Sequence, residues 1–193
     1  MRKIKSERKN KAIFKNRTFH SVLEEFRKNN LYPPFRFIIK FNLLAAPLYV
    51  MLLTQWQSSF LIAATHNIVF SVLAASGLNP ISYGDVIAVS IKNGSWGAVI
   101  NWDCVGWKSL LALFALIFAT ELPLKTKIKG FLLLAPLIYF VNVIRIWFIF
   151  WYIVNYDISN FAFVHAVVWS WGLITAVAVA WLVWLRQNYA LKI

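Results

Sequence analysis

Acidic residues and cysteines are both scarce in this chain of 193 residues. It contains seven Asp and Glu residues and a single cysteine, Cys104. One cysteine excludes an intramolecular disulfide and any metal or redox site built on a CxxC pair. Charged residues of both signs make up only 14% of the chain. That share is well below the value for a typical soluble domain, so the composition argues against this class.

Apolar residues dominate the composition instead. They form 60% of the chain, with 10 Trp and 16 Phe, and the mean hydropathy is +0.63. These values are typical of an α-helical integral membrane protein, which is the fold class that we predict.

The basic residues are concentrated at one end of the chain. Residues 1–40 hold 12 of the 20 Lys and Arg residues but only 3 of the 7 acids. We interpret residues 1–36 as a basic cytoplasmic segment that contacts anionic lipid headgroups. Nucleic acid is not an expected partner, because no aromatic or Gly-rich recognition motif accompanies the charge.

Residues 37–193 are predicted to form a membrane-embedded catalytic domain. A helix that crosses a bilayer needs about 20 residues. Four apolar runs are candidates: 37–56, 106–122 (which is short), 130–154 and 163–185. A fifth run, 58–77, is more polar and either crosses the membrane or lies at its outer interface. We therefore expect about four to five transmembrane helices.

The lysines predict how these helices are oriented in the plasma membrane. Residues 123–129 carry three lysines, so we predict that they form a cytoplasmic loop and that both chain ends are cytoplasmic. This multi-pass topology puts residues 78–104 and 155–162 on the extracytoplasmic side. An odd number of crossings must then precede residue 78, which favours an interfacial position for 58–77.

The outer segment 81–104 has the pattern of a small extracytoplasmic β-hairpin. It is rich in β-branched residues, and Asn93-Gly94 is a strong signal for a type I′ turn. A turn centred there pairs Ile91 with Trp96, Val89 with Ala98 and Ile87 with Ile100. These residues share one apolar face, and the second strand leads directly to Asp103 and Cys104.

Three polar residues on separate predicted spans are expected near the outer surface. Cys104 precedes the second span, where a helix macrodipole stabilises a thiolate, although Asp103 next to it opposes that effect. Arg145 lies inside an apolar run, where a charge costs at least about 2.5 kcal/mol at mid-span. His165 opens the last span.

Each of the three residues has a structural alternative when it is considered alone. The thiol can be inert packing, the arginine can snorkel to the surface, and the histidine can stabilise a helix end. Together they supply a nucleophile, a cation for the oxyanion and a general acid and base. Covalent acyl transfer requires these parts.

At these residues the sequence resembles the exosortase/archaeosortase family of membrane cysteine transpeptidases. The resemblance rests on DCVGWKS around Cys104, on NVIRI around Arg145 and on His165, in that order on three consecutive spans. It covers roughly residues 55–190, and the DCVGWKS form is more similar to archaeal members. Bacterial members often have Glu where this chain has Asp103.

The resemblance implies a function and a role for each residue. Cys104 would be the nucleophile, Arg145 would stabilise the oxyanion or position the substrate, and His165 would be the general acid and base. The implied substrates are secreted proteins with a C-terminal sorting signal, made of a short motif, a membrane helix and a basic cluster. This hydrolase or thiol protease would transfer its product to a lipid, an amine or water. Second-rank candidates for substrate binding or support are Asn142, Asp103, Trp107 and Lys108.

Two other readings of the chain remain open. A non-enzymatic membrane anchor or assembly subunit would leave Cys104 dispensable. A metal site made of Cys104, His165, His66 and Asp103 is disfavoured, because the spacing is unlike a zinc pattern and a second cysteine is missing. We therefore expect neither a metal nor another cofactor.

Overall fold

The structure, a computed structural model, describes residues 32–92, 94–156 and 167–190. The helices are α1 (Tyr32–Leu44), α2 (Ala46–Thr54), α3 (Ser59–Ala75), α4 (Trp107–Ala119), α5 (Leu124–Asn155) and α6 (Leu173–Ala190). The strands are β1 (Ile81–Tyr83), β2 (Val86–Ile91) and β3 (Gly94–Val99). A 3₁₀ helix covers Trp102–Val105, and a π-helical turn covers Val167–Gly172.

The chain divides into two compact units, Met1–Leu43 and Leu44–Ile193. In the described part of the first unit, α1 carries a stacked pair of rings, Phe37 and Phe41, with centroids 6.3 Å apart. The second unit holds α2 and all later elements. Most of the predicted basic segment 1–36 lies outside the described residues.

Two described segments are long and apolar enough to cross a membrane. They are Pro34–Thr54, with 21 residues, and Leu124–Asn155, with 32 residues. Three other apolar helices are shorter: Ser59–Ala75, Trp107–Ala119 and Leu173–Asn188. The number of crossings and the side of each loop therefore stay predictions, including the choice between span and interface for 58–77.

The helix α5 corrects the prediction of a loop at residues 123–129. The helix begins at Leu124, directly after Pro123, whose extended conformation precedes the first turn. The lysines of this segment thus lie in the first turns of α5. Lys127 donates a hydrogen bond of 3.0 Å from Nζ to the carbonyl oxygen of Phe118 in α4. The chain reverses direction within residues 120–123, which is a much shorter connection than predicted.

The sheet has three antiparallel strands in the order β1-β2-β3. Its register differs from the predicted one by two residues, because Val89 pairs with Trp96 and Ile91 pairs with Gly94. The turn therefore lies between Ile91 and Gly94 and is not centred on Asn93-Gly94. A shift of two residues keeps every side chain on its own face. The apolar pattern alone could not distinguish the two registers.

One face of this sheet is part of a hydrophobic cluster that includes the thiol. Ile87 and Val89 of β2 are fully buried there, together with residues of α3 and α5. The cluster consists of Val69, Leu73, Ile87, Val89, Ile100, Cys104, Val143, Ile146 and Phe150. Cys104 is thus held between the sheet and α5.

A second hydrophobic cluster joins α4, α5 and α6. Its buried members are Leu113, Ile117, Leu122, Leu134, Ile138, Leu173, Val177 and Trp184. Close packing of α5 on α6 depends on Gly130, since a Cβ atom at that position would overlap the indole ring of Trp184. This cluster fixes the three helices that support the candidate site.

Candidate active site

The segment between β3 and α4 holds the only cysteine in a short 3₁₀ helix. Asn101 caps this helix, because its Oδ1 accepts a hydrogen bond of 3.1 Å from the backbone N–H of Asp103. The backbone N–H of Cys104 donates to the carbonyl oxygen of Asn101 at 3.0 Å. Gly106 then adopts a left-handed conformation, with φ of 79°, and begins α4. Both ends of residues 101–106 are therefore fixed. We call these residues the nucleophile segment, after the role that the sequence predicts for Cys104.

The side chain of Cys104 is buried, with 5% of its surface exposed. Its Sγ lies 3.4 Å from Oδ1 of Asn101, which can accept the thiol proton. Burial raises the pKa of the thiol above its ordinary value, and the neighbouring Asp103 carboxylate adds to that effect. A backbone hydrogen bond at Asn101 and the positive charge of Arg145 lower the pKa in part.

The expectation of a thiolate stabilised by the helix macrodipole is therefore wrong for the described site. Cys104 lies in the 3₁₀ helix, and α4 begins only at Trp107. Desolvation by burial is the largest of these effects, so the pKa of the thiol is raised on balance. Attack on a carbonyl carbon requires a base that removes the thiol proton.

The structure brings two residues of α5 to the nucleophile segment. Asn142 and Arg145 are three positions apart on one helix face, and they are only 1% and 7% exposed. The Nδ2 of Asn142 donates a hydrogen bond of 2.8 Å to the backbone carbonyl oxygen of Cys104. Arg145 is close enough for its charge to act on the Cys104 thiol.

Gly106 makes the contact with Asn142 possible. A Cβ atom at Gly106 would lie 3.0 Å from both Cγ and Nδ2 of Asn142, and the backbone there has positive φ. Both observations favour glycine at this position. The Cys-x-Gly spacing of the sequence thus has a physical reason, which is close approach of the nucleophile segment to α5.

His165 lies outside the described residues, in the gap 157–166. Its place relative to Cys104 and Arg145, and its role as the base, remain predictions. The alternative metal site depends on the same residue. Its other candidate histidine, His66, lies on α3 with Nε2 3.3 Å from the Ser82 hydroxyl.

Three second-rank candidates lie together at a different place from Asn142. Asp103 and Lys108 form an ion pair of 2.7 Å with both side chains about half exposed, and Lys108 Nζ lies 5.7 Å from the ring centroid of Trp107. Trp107 stacks on Trp102 with centroids 5.6 Å apart. These residues line a pocket of about 380 Å³ together with Met51, Leu52, Gln55, Gln57 and Asn101.

A second pocket, of about 350 Å³, opens at the thiol itself. Its walls are formed by β3, by the segment that follows it and by α5. The lining residues are Trp96, Ala98, Val99, Ile100, Asn101, Asp103, Cys104, Ile146, Ile149 and Phe150. The two pockets share Asn101 and Asp103, so the nucleophile segment separates an apolar pocket from a more polar one.

Asn101 is a site residue that was not predicted from the sequence. Its position just before a short helix, with Asp103 two residues later, matches the preference of Asn for helix N-caps. That signal was available in the sequence. The sequence held no comparable signal that Gln55 and Gln57 line the same pocket as Asp103, because more than forty residues separate them from it.

The chain was compared with known families, proteins and structures. The family model described as transmembrane exosortase (Exosortase_EpsH) matches residues 30–168. The match begins earlier and ends earlier than the expected range 55–190, and it includes Cys104, Arg145 and His165. No curated protein and no solved structure matches the chain. Because the family model covers more than half of its residues, this chain belongs to the transmembrane exosortase family.

Proposed function

We propose that this protein is a cysteine transpeptidase that cleaves the C-terminal sorting signals of secreted surface proteins. Membership of the exosortase family supports a membrane transpeptidase for sorting signals. The observation that carries the proposal for this chain is the contact between α5 and the segment that contains Cys104. Asn142 binds the Cys104 carbonyl oxygen at 2.8 Å, and the charge of Arg145 reaches the thiol.

The first half of the proposed reaction forms a thioester. His165 removes the thiol proton, and the Cys104 thiolate attacks the carbonyl carbon of the scissile peptide bond. A C–S bond forms, and the carbonyl oxygen takes the negative charge, which Arg145 stabilises. The C–N bond then breaks, and the leaving amine takes its proton from His165. The C-terminal membrane helix departs with that amine.

The second half of the reaction regenerates the thiol. An acceptor amine or hydroxyl, or water, loses a proton to His165 and attacks the thioester carbonyl. The C–S bond breaks, the acyl group passes to the acceptor, and the proton returns to Cys104. Because burial raises the pKa of the free thiol, the proposed attack requires a base that removes the thiol proton.

The more polar pocket supports transfer to an acceptor as well as hydrolysis. It lies on the other side of Asn101 and Asp103 from the apolar pocket, and Gln55, Gln57 and Lys108 add polar groups to it. An acceptor held there approaches the thioester from the side opposite to the donor. The active site is proposed to face the extracytoplasmic side of the plasma membrane, where secreted substrates present their cleavage sites.

Mass spectrometry of surface-protein C-termini in the source organism tests this function. Wild-type cells are compared with cells that carry Cys104→Ala and with a control that carries Ser90→Ala, an exposed position on β2. One or more proteins should keep the intact C-terminal helix only in the Cys104→Ala cells. If all C-termini are unchanged while the variant is present at normal abundance, the proposal is wrong, and a non-enzymatic anchor or assembly role takes its place.

A further inference from the structure

We propose that the apolar pocket at Cys104 selects the side chain of the substrate residue that becomes acylated, and that this side chain is aliphatic or aromatic. The inference rests on the proposed function, since it names the substrate residue recognised at the same site. It follows from the mainly apolar lining of the pocket, from the presence of Cys104 in that lining and from the small Ala98 side chain in the β3 wall.

Most of the residues that line this pocket are apolar. Trp96, Ala98 and Val99 of β3 form one wall, and the facing wall consists of α5 residues. That wall is built from Ile146, Ile149 and Phe150. Among the lining residues that the structure describes, Asp103 is the only carboxylate, and the lining contains no lysine or arginine. A charged side chain would lose its hydration among the apolar residues. The carboxylate of Asp103 is already paired with Lys108.

The walls of the pocket are held in place by packing within the protein. Trp96 packs edge-on against Phe150 with ring centroids 5.2 Å apart. Ile146 and Phe150 belong to the buried cluster that also contains Ile87 and Val89 of the sheet. An entering side chain therefore replaces water in an existing cavity and does not have to separate packed residues.

The position of the sulfur determines which substrate residue can enter. In a thioester, Sγ is bonded to the carbonyl carbon, and that carbon is bonded to the Cα atom of the acylated residue. The side chain on this Cα atom is the nearest one to Cys104, which itself lines the pocket. The polar lining residues Asn101 and Asp103 are available to the peptide group of the substrate.

Ala98 has the smallest side chain among the β3 residues that line the pocket. It pairs with Ile87, and both lie on the sheet face that packs against the core. A larger side chain at position 98 would occupy space that the substrate side chain needs. Ala88 offers a matched control, because it lies on β2, pairs with Gly97 and is not among the lining residues of this pocket.

A thiol-labelling experiment tests the pocket independently of catalysis. The full chain in membrane vesicles is treated with methyl and benzyl methanethiosulfonate, two neutral reagents of different size, and the modification of Cys104 is followed by mass spectrometry. Ala98→Leu should slow the benzyl reagent by about tenfold relative to the methyl reagent, because the apolar contact is lost. Ala88→Leu should leave the ratio unchanged.

A reference thiol corrects for partition of the reagents into the membrane. The double variant Cys104→Ala with Ser90→Cys presents a thiol at an exposed position of β2. Benzyl should be favoured over methyl at Cys104 relative to this reference. Equal ratios at the two thiols, or an equal effect of Ala98→Leu and Ala88→Leu, would overturn the proposed pocket.

Exchange of the acylated residue in a substrate tests its selection in cells. The cut site is identified from the C-termini described above, and that residue is replaced in turn by Leu, Phe, Lys and Glu. Leu and Phe should be processed, whereas Lys and Glu should reduce processing by about tenfold or more. Ala98→Leu should shift the preference toward Gly and Ala. Equal processing of substrates with Lys and with Leu at this position would overturn the proposed side-chain selection and leave the proposed transpeptidase function intact.

The two proposals fail in distinguishable ways. If Cys104→Ala changes no C-terminus, the proposed function fails, and the labelling ratios still report whether an apolar pocket lies at the thiol. If Cys104→Ala abolishes processing but the labelling ratios do not respond to Ala98→Leu, the function stands, and the specificity pocket is refuted.

Discussion

Asn142 donates a hydrogen bond of 2.8 Å to the backbone carbonyl oxygen of Cys104, across 38 positions of sequence. Both residues are buried, so water does not compete for this bond. It ties the nucleophile segment to the helix that carries Arg145. The position of the thiol relative to the cation thus depends on one amide side chain.

Replacement of Asn142 should disturb the site and the fold together. Asn142→Ala leaves a buried carbonyl oxygen without its donor, which should reduce the free energy of unfolding by about 1–3 kcal/mol. Processing of the substrate should fall as well, because the thiol loses its fixed position. Asn155→Ala is the matched control, since Asn155 lies on the same helix and donates only to the exposed carbonyl of Trp151. Thermal unfolding in detergent and C-terminal processing measure the two effects, and equal behaviour of both variants would contradict the role of Asn142.

Gly106 offers a separate test of the same contact. Gly106→Ala should be destabilising by roughly 1–2 kcal/mol from the left-handed backbone alone, with an additional loss from the contact with Asn142. Gly77→Ala isolates the first contribution, because Gly77 has nearly the same φ, 78° against 79°, and open space at its Cβ position. A larger loss of stability for Gly106→Ala than for Gly77→Ala, measured by thermal unfolding, is the expected result. Equal losses would mean that the approach to Asn142 is not tight.

The pKa of Cys104 predicts the pH dependence of its alkylation. Only the thiolate reacts, and burial raises the pKa of this thiol. The rate with iodoacetamide should therefore rise through a midpoint above about 8.5, the value for an ordinary cysteine. Arg145→Gln should move this midpoint higher, because it removes a charge that lowers the pKa, and Asp103→Asn should move it lower. A midpoint below that of a free cysteine in the unmodified protein would contradict the assigned environment.

The ion pair between Asp103 and Lys108 should affect transfer to the acceptor and should contribute little to the free energy of unfolding. Both side chains are about half exposed, so Lys108→Ala should change the free energy of unfolding by less than about 1 kcal/mol. If the polar pocket holds the acceptor, the same variant should increase hydrolysis at the expense of transfer. The ratio of free to modified product C-termini measures this effect, and Lys92→Ala, on the turn side of the sheet, is the control. An unchanged ratio would argue against an acceptor at this pocket.

Gly130 tests the packing that supports α5. Gly130→Ala places a methyl group where the Trp184 ring lies, so α5 and α6 must move apart or the ring must rotate. Overpacking of this kind costs about 1–3 kcal/mol. Gly172→Ala, with open space at its Cβ position, should have a much smaller effect on thermal unfolding. Recovery of stability in the double variant Gly130→Ala with Trp184→Phe would confirm that the ring is the obstacle.

The sequence predicted the helical membrane character because apolar composition is a property of the whole chain. It also predicted which sheet residues face the core, since alternation in a strand determines the face. The predicted register of β2 and β3 was wrong because a shift of two residues preserves this alternation. The start of α5 at Leu124 was missed since the lysines were interpreted by their charge, although Lys and Leu are good helix formers.

Site residues could be predicted only where their chemical type is unusual for their position in the sequence. A single cysteine and a charged side chain in an apolar run are visible in the sequence. The contact between Asn142 and Cys104 is not, because it depends on how α5 packs against a loop 38 residues away. The same holds for burial of the thiol, which reversed the expected direction of its pKa shift.

Detection of an acyl-enzyme at Cys104 tests the central claim most directly. The wild-type protein is isolated from actively processing membranes under denaturing conditions and analysed by peptide mass spectrometry. His165→Ala, which lacks the base required for formation of the thioester, is the negative control. We predict a covalent adduct between Cys104 and the new C-terminus of a truncated surface protein, which neutral hydroxylamine releases because it is a thioester. A Cys104 peptide that is always unmodified in the wild type, while surface proteins are still cut, would contradict the assignment of Cys104 as the nucleophile.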